Sequence, residues 1–323
     1  MKNIVVIGCS RSTGEEVRDW ELDPHYYDAI NEPQADWYVR RRDILIPKFM
    51  KENPELVIEG VDLAECWDMY NDRFAWPNLL DKEYNVINYA QRGAGIAFFE
   101  LLYNLPNIVH TVWKGKHITS ADYEPKLKYE NGSLWNKYYT DDSRFDTNLE
   151  EADLLIWQLT NEPRYSLTFN EDLSVCNSAE FQSLEVWLEN HMSGKKKHLF
   201  LEWYKYYYDV TRVHASNITW IKQLIKIREL KGLKTLIFPI YPTYNSRMGI
   251  KEINNEHTKS LGMDQDGSLS MYADQGLLSE ELNLSTYDLE FRKDSYNCKY
   301  KHASEKGHVA IADYVNKTLK EWL

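Results

Sequence analysis

Four short apolar runs punctuate the chain, at residues 3–7, 84–88, 153–158 and 233–240. They are rich in aliphatic and β-branched residues without strict alternation, as in strands covered on both faces. The spacing between them leaves room for crossover helices, so the pattern predicts an α/β architecture built on parallel strands. Helical periodicity is clearest in two places. Ile218, Ile221, Leu224, Ile225 and Arg228 recur at i, i+3, i+4 spacing, which predicts a helix over 217–231, capped by Ser216 and stopped by Gly232. Val309, Ala312, Val315 and Leu319 form the apolar stripe of a final helix over about 304–322. A third helix is expected after Gly95, through Phe98, Phe99, Leu101 and Leu102.

Three longer stretches read as insertions. Residues 15–80 mix aromatic and charged side chains and predict helices of their own. Residues 110–150 are polar and rich in Tyr, Asp, Asn and Lys, an irregular excursion over one end of the sheet. Residues 241–301 begin Tyr-Pro-Thr-Tyr-Asn and carry Gly249, Gly262, Gly267 and Gly276. Loops of that length in a compact domain are usually lids or substrate walls. With no internal repeat or low-complexity tract, the expectation is one domain over 1–323 that carries these insertions.

Charge narrows the partners. The chain has 38 basic and 50 acidic residues, a net charge of −12, which argues against nucleic acid. The runs Arg40-Arg41-Arg42 and Lys195-Lys196-Lys197 read as solvated faces or loops. The first residues form a strand rather than a charged region followed by an apolar one, and no apolar run approaches the ~18 residues of a membrane span. The expectation is a soluble protein with no signal peptide and no membrane partner, cytoplasmic or a virion component. Cys9, Cys66, Cys176 and Cys298 show no C-x-x-C spacing, so reduced thiols are expected, with neither a zinc site nor a disulfide framework. Aromatic content is 14%, with 23 Tyr and 11 Trp. These side chains pack a core and its rim, or offer sugar-stacking platforms or an interface; composition alone leaves these readings open.

Candidate chemistry lies just past the strand ends, where open α/β sheets form their ligand crevices. The first run leads into Gly8-Cys9-Ser10-Arg11-Ser12-Thr13-Gly14. Ser10 is the candidate nucleophile and needs an adjacent base. Alone it reads as a polar loop serine. Gly8 permits a tight exit from the strand and Gly14 lets the chain pass close beneath a ligand, whereas Ser12 and Thr13 sit farther from the strand end. The loop matches neither G-x-x-x-x-G-K-[ST] nor G-x-G-x-x-G, so nucleotide binding is unsupported. Gly93 follows the second run in Asn88-Tyr89-Ala90-Gln91-Arg92-Gly93. It can offer a backbone N–H to an oxyanion, or simply make the turn. Asn161 follows the third run and can supply a side-chain amide donor at the same edge. His302 stands at the threshold of the last helix and is the natural general base. His308, one turn later, reads as a packing or capping residue.

These segments, in this order, resemble the conserved blocks of the SGNH/GDSL hydrolase superfamily. Residues 8–14 are similar to G-D-S-L-[ST]-x-G, residues 88–93 to N-x-G-x-x-G, Leu159-Thr160-Asn161-Glu162 to G-x-N-[DE], and residues 299–308 to D-x-x-H-x-[ST]-x-x-G-H. The resemblance implies a flavodoxin-like three-layer α/β/α sandwich with strand order 2-1-3-4-5. It further implies a carboxylic ester hydrolase, or esterase, with Ser10 as nucleophile and His302 as base. The oxyanion hole would be formed by Ser10, Gly93 and Asn161. Phe74-Ala75-Trp76-Pro77 is similar to SGNH-like proteins of phages and bacterial polysaccharide loci. This chemistry needs no metal or organic cofactor.

The chain departs from the family at Cys9, Leu159 and, above all, Lys299, which stands where an aspartate is usual. A lysine cannot accept the imidazole N–H. Asp294 fills that role if residues 295–301 loop out; otherwise a backbone carbonyl orients His302 and the site is a Ser–His dyad. The expected activity is removal of acetyl groups from a small-molecule or glycan ester. An O-acetyltransferase on the same site, or a non-catalytic glycan-binding or structural module on the same fold, are the alternatives.

Overall fold

The computed structural model describes residues 2–8, 12, 14, 16–26, 32–90, 96, 99–100, 103, 108–110, 117–119, 145–159, 165–169, 174–178, 194–195, 198–199, 202, 206, 210–239, 255–260 and 303–323. The chain begins with β1 (Lys2–Ile7), followed by α1 (Asp19–Leu22), α2 (Gln34–Arg40), a π-helical turn at Arg41–Leu45, α3 (Ile46–Glu52) and α4 (Leu63–Asp72). Next come β2 (Tyr84–Asn88), the hairpin strands β3 (Ile108–His110) and β4 (His117–Thr119), α5 (Phe145–Glu151) and β5 (Leu154–Leu159). A second hairpin, β6 (Tyr165–Phe169) and β7 (Ser174–Ser178), precedes α6 (Val210–Leu230), β8 (Lys234–Pro239), β9 (Thr258–Ser260) and α7 (Glu305–Trp322).

Five strands form one parallel sheet in the order β2-β1-β5-β8-β9. Counted within the sheet, that is the 2-1-3-4-5 order of a flavodoxin-like α/β fold. All six side chains of β5 are buried, as expected for a central strand covered on both faces. One face packs Ile4, Val6, Leu154, Ile156 and Leu236 against Trp76 and against Ile311, Ala312, Val315 and Leu319 of α7. The other face meets α6, where Trp157 and Trp220 pack edge to face at 4.9 Å between ring centroids.

The predicted strands are observed within about a residue at each end. Ile240 and most of the helix expected after Gly95 lie outside the described residues, although Ile96, Phe99, Glu100 and Tyr103 are helical. The last helix starts where expected, with Ser304 as its cap accepting the N–H of Gly307 at 3.2 Å. One boundary is different. Ser216 does not cap α6, which starts at Val210 and runs through it. At the other end Gly232 (φ +71°) closes the helix, with the Leu233 N–H on the Arg228 carbonyl and the Gly232 N–H on that of Glu229. Arg228 is wholly buried and donates to the carbonyls of Leu149, Ala152 and Lys234 and to the Thr235 hydroxyl. Burial lowers its guanidinium to about 10, so it remains charged at neutral pH.

Within residues 15–80 the expected helices are present and have a core of their own. Trp67 packs on Phe49 and Tyr70. The buried Asp19 carboxylate accepts from Trp67 Nε1 at 2.9 Å, Trp37 Nε1 at 3.3 Å and Arg41 Nε at 3.0 Å. Arg41 also reaches Asp68 at 3.4 Å, so a buried cation lies between two carboxylates, and the run Arg40-Arg41-Arg42 is not the solvated face or loop expected of it. The stretches 110–150 and 241–301 fall mostly outside the described residues, but their described parts are not the irregular excursion and loop expected: β4 and most of α5 lie in the first, and β9, the fifth strand of the sheet, lies in the second. No described helix is long and apolar enough to cross a membrane.

Candidate functional site

Because the sheet is parallel, β1, β2 and β5 end at one edge. The register sets Val6 opposite Asn88 and Ile7 opposite Trp157, so the exits at Gly8, Tyr89 and Leu159 are neighbours. The Tyr89 N–H extends the ladder to the Val6 carbonyl at 2.8 Å. The start of α7 lies at this same edge. At the far end of the helix the carbonyl of Leu323 accepts from Lys2 Nζ at 3.1 Å and that of Trp322 from Lys234 Nζ. Lys2 and Lys234 are the amino-terminal residues of β1 and β8, so α7 runs antiparallel to the sheet. Its 18 residues span about 27 Å at ~1.5 Å per residue, enough to carry Ser304 to the strands' carboxyl ends.

Ser12 clamps the turn after β1 to both neighbouring strands. It is wholly buried, and its hydroxyl donates to Gln158 Oε1 on β5. Its carbonyl accepts from Asn88 Nδ2 on β2 at 3.0 Å. Asn88 uses its whole amide, since Nδ2 also donates to Asp72 Oδ1 at 3.2 Å and Oδ1 accepts the Ala90 N–H at 3.0 Å. The end of α4 holds the turn from below. Asn71 donates to the Trp67 carbonyl at 2.8 Å and accepts the Arg18 N–H at 2.9 Å.

Gly14 meets the backbone of α4. It adopts φ +67°, and a Cβ there would stand 2.7 Å from the Asn71 carbonyl oxygen. Gly8 is equally confined, because an added Cβ would lie 2.5 Å from Ser12 Oγ and 3.2 Å from Gln158 Cβ.

Arg18 joins this turn to α7. Its guanidinium sits 4.7 Å from the centroid of Trp20 and 4.5 Å from that of Phe74, pairs with Glu21, and reaches Glu305 Oε2 at 2.6 Å. Burial disfavours the charge, but the two carboxylates outweigh it and raise the guanidinium above its ordinary value. His308 is buried and accepts the Trp76 N–H on Nδ1 at 3.1 Å, the packing role expected of it.

Ser10, Gly93, Asn161, His302 and Asp294 lie outside the described residues, as does Lys299. Described residues flank the first four in sequence. Ser10 is two residues from Gly8 and two from Ser12, Asn161 two from Leu159, Gly93 three from Ala90, and His302 next to Ala303. Asp294 is nine residues from Ala303.

The supporting polar residues Ser12, Gln158, Asn88, Asp72, Asn71 and Arg18 were not assigned by sequence reasoning. The usable signals were Asn88, a buried polar residue at the end of β2, and Gln158, the one amide in the otherwise apolar β5. Among the described residues no cluster of three or more His, Cys, Asp or Glu could hold a metal ion. The Cys66 thiol is buried, and burial raises its pKa, so it is a poor nucleophile at neutral pH. No family model matches the chain, and no curated protein or solved structure matches it either.

Proposed function

We propose that the chain is a serine-dependent ester hydrolase of the SGNH/GDSL kind that removes acetyl groups from a carbohydrate. The observation that supports this most is the convergence of anchors. Gly8, Ala90, Leu159 and Ala303, which flank Ser10, Gly93, Asn161 and His302 in sequence, lie at one edge of the sheet. That edge is where α/β folds bind ligands. The aromatic richness of the chain supports the carbohydrate part of the reading.

In this reading the Ser10 hydroxyl attacks the ester carbonyl carbon while His302 takes its proton. The oxyanion receives the N–H groups of Ser10 and Gly93 and the Asn161 amide. Collapse breaks the bond to the alcohol, which leaves with the proton from His302, and water then releases the acyl group by the same steps. Asp294 orients the imidazole, or a backbone carbonyl does so in a Ser–His dyad.

Lys299 favours a second reading, in which the fold binds a glycan without turning it over. The test is hydrolysis of p-nitrophenyl acetate and acetylated glycans by the protein and by Ser10→Ala. Serine-dependent release of acetate supports the hydrolase, and transfer to added glycan in preference to water supports the acetyltransferase form. Glycan binding that survives Ser10→Ala, without turnover in the parent, supports the binding module.

A further inference from the structure

Gln158 breaks the pattern of its own strand. Leu154 and Ile156, on the same face of β5, are aliphatic and pack in the core beneath α7. Gln158 continues that row and is equally buried, at 0% exposure. A leucine would fill the position without any polar group to satisfy. The glutamine leaves its Nε2 without a hydrogen-bond partner among the described residues, and its one bond is the Oε1 contact with the Ser12 hydroxyl. Exchanging the two amide atoms still leaves one of them without a partner. A buried amide kept at that cost is explained by what it holds.

What it holds is the turn between residues 8 and 14. That turn contains two glycines and so has little intrinsic preference of its own. Ser12 is the described residue through which it bonds both neighbouring strands, and the β5 half of that clamp is Gln158. Gly8 closes the arrangement, since its Cα side approaches both Ser12 Oγ and Gln158 Cβ too closely for a side chain.

We propose that Gln158 is a positioning residue: acting through Ser12, it holds the turn that bears Ser10 against the sheet edge. The proposal rests on the hydrolase reading for its kinetic consequence, and on geometry alone for its structural one.

Two readouts test it. Hydrogen exchange of a peptide covering residues 8–17 measures the turn with or without activity. Gln158→Leu and Ser12→Ala should each speed its exchange by roughly tenfold while a peptide from α6 is unchanged. In ester hydrolysis each should lower kcat by about 10- to 100-fold with KM within about twofold, because misplacing a nucleophile by an ångström costs that much. The two effects should not multiply in the double variant, as they break one contact. Gln158→Glu, which keeps an acceptor for Ser12, should recover most of the rate. If the parent protein lacks turnover, the hydrolase reading fails while the exchange result still judges the proposal. Unchanged exchange in both single variants, or multiplicative losses of kcat, would overturn it.

Discussion

Arg18 and Glu305 are 287 positions apart in sequence, yet the guanidinium of one lies 2.6 Å from the carboxylate of the other. The contact ties the turn after β1 to the first turn of α7, and so links the segment carrying Ser10 to the one carrying His302. Its partners differ in what they stand to lose. The Glu305 side chain is 44% exposed, so Glu305→Gln should cost no more than about 1 kcal/mol. Arg18→Leu also loses Glu21 and the cation contacts to Trp20 and Phe74, and should cost about 1–3 kcal/mol. Urea unfolding midpoints check the order. Equal losses would show that the ion pair alone carries the effect.

Gly14 is predicted to reject any side chain. Gly14→Ala meets both the left-handed penalty at φ +67° and the Asn71 carbonyl 2.7 Å from the new Cβ. Together these should remove about 2–4 kcal/mol of stability. Gly232→Ala is the control, because it shares the positive φ but has open space around it, and should cost only about 1 kcal/mol. Thermal melts of the pair separate strain from clash. Equal falls in Tm would contradict the close approach to α4.

Acid should weaken the fold through two carboxylates. Burial raises Asp23, but the Arg40 guanidinium and the His25 N–H outweigh it and hold the group below its ordinary value. Lys231, followed by the Tyr103 hydroxyl, does the same for Glu150. A folded-state pKa below the unfolded one stabilises the protein above the unfolded value, and that contribution is lost as pH falls through the folded value. Tm should therefore hold above about pH 5 and drop below about pH 4. Asp23→Asn should lower Tm at neutral pH and reduce the further loss in acid. A variant that melts like the parent at neutral pH would contradict the Asp23–Arg40 pair.

The proposed base gives a pH signature. With His302 taking the proton from Ser10, kcat/KM should fall on the acid side with a pKa near neutrality, about 6–7. A profile flat between about pH 5 and 8 would remove His302 from that role. Asp294→Asn should slow turnover by about 100-fold or more if the carboxylate orients the imidazole. An unchanged rate assigns orientation to the backbone and leaves a dyad.

The parts of the fold legible in the sequence were those coded locally. A continuous apolar run such as Leu154–Leu159 can only be satisfied in a doubly covered sheet, and three of the four stripe residues expected of α7, Ala312, Val315 and Leu319, are buried, whereas Val309 is exposed and Ile311 takes its place in the core. The start of α6 was not legible, since Val210, Thr211 and Val213 are β-branched, poor helix formers that drew the boundary to Ser216. For the site, chain order showed which strand ends would meet, because parallel topology carries them to one edge. The clamp was hidden because its partners are non-local, 146 positions apart for Ser12 and Gln158 and 76 for Asn88 and Ser12. Gly14 was legible as a required glycine, but its reason, the carbonyl of Asn71, belongs to another element.

The most direct test of the central claim is covalent labelling of the protein with a fluorophosphonate, followed by peptide mapping of the adduct. The account predicts one adduct per chain, on Ser10, absent from Ser10→Ala and slowed in His302→Ala. An unlabelled parent protein, or an adduct on any other serine, would contradict it.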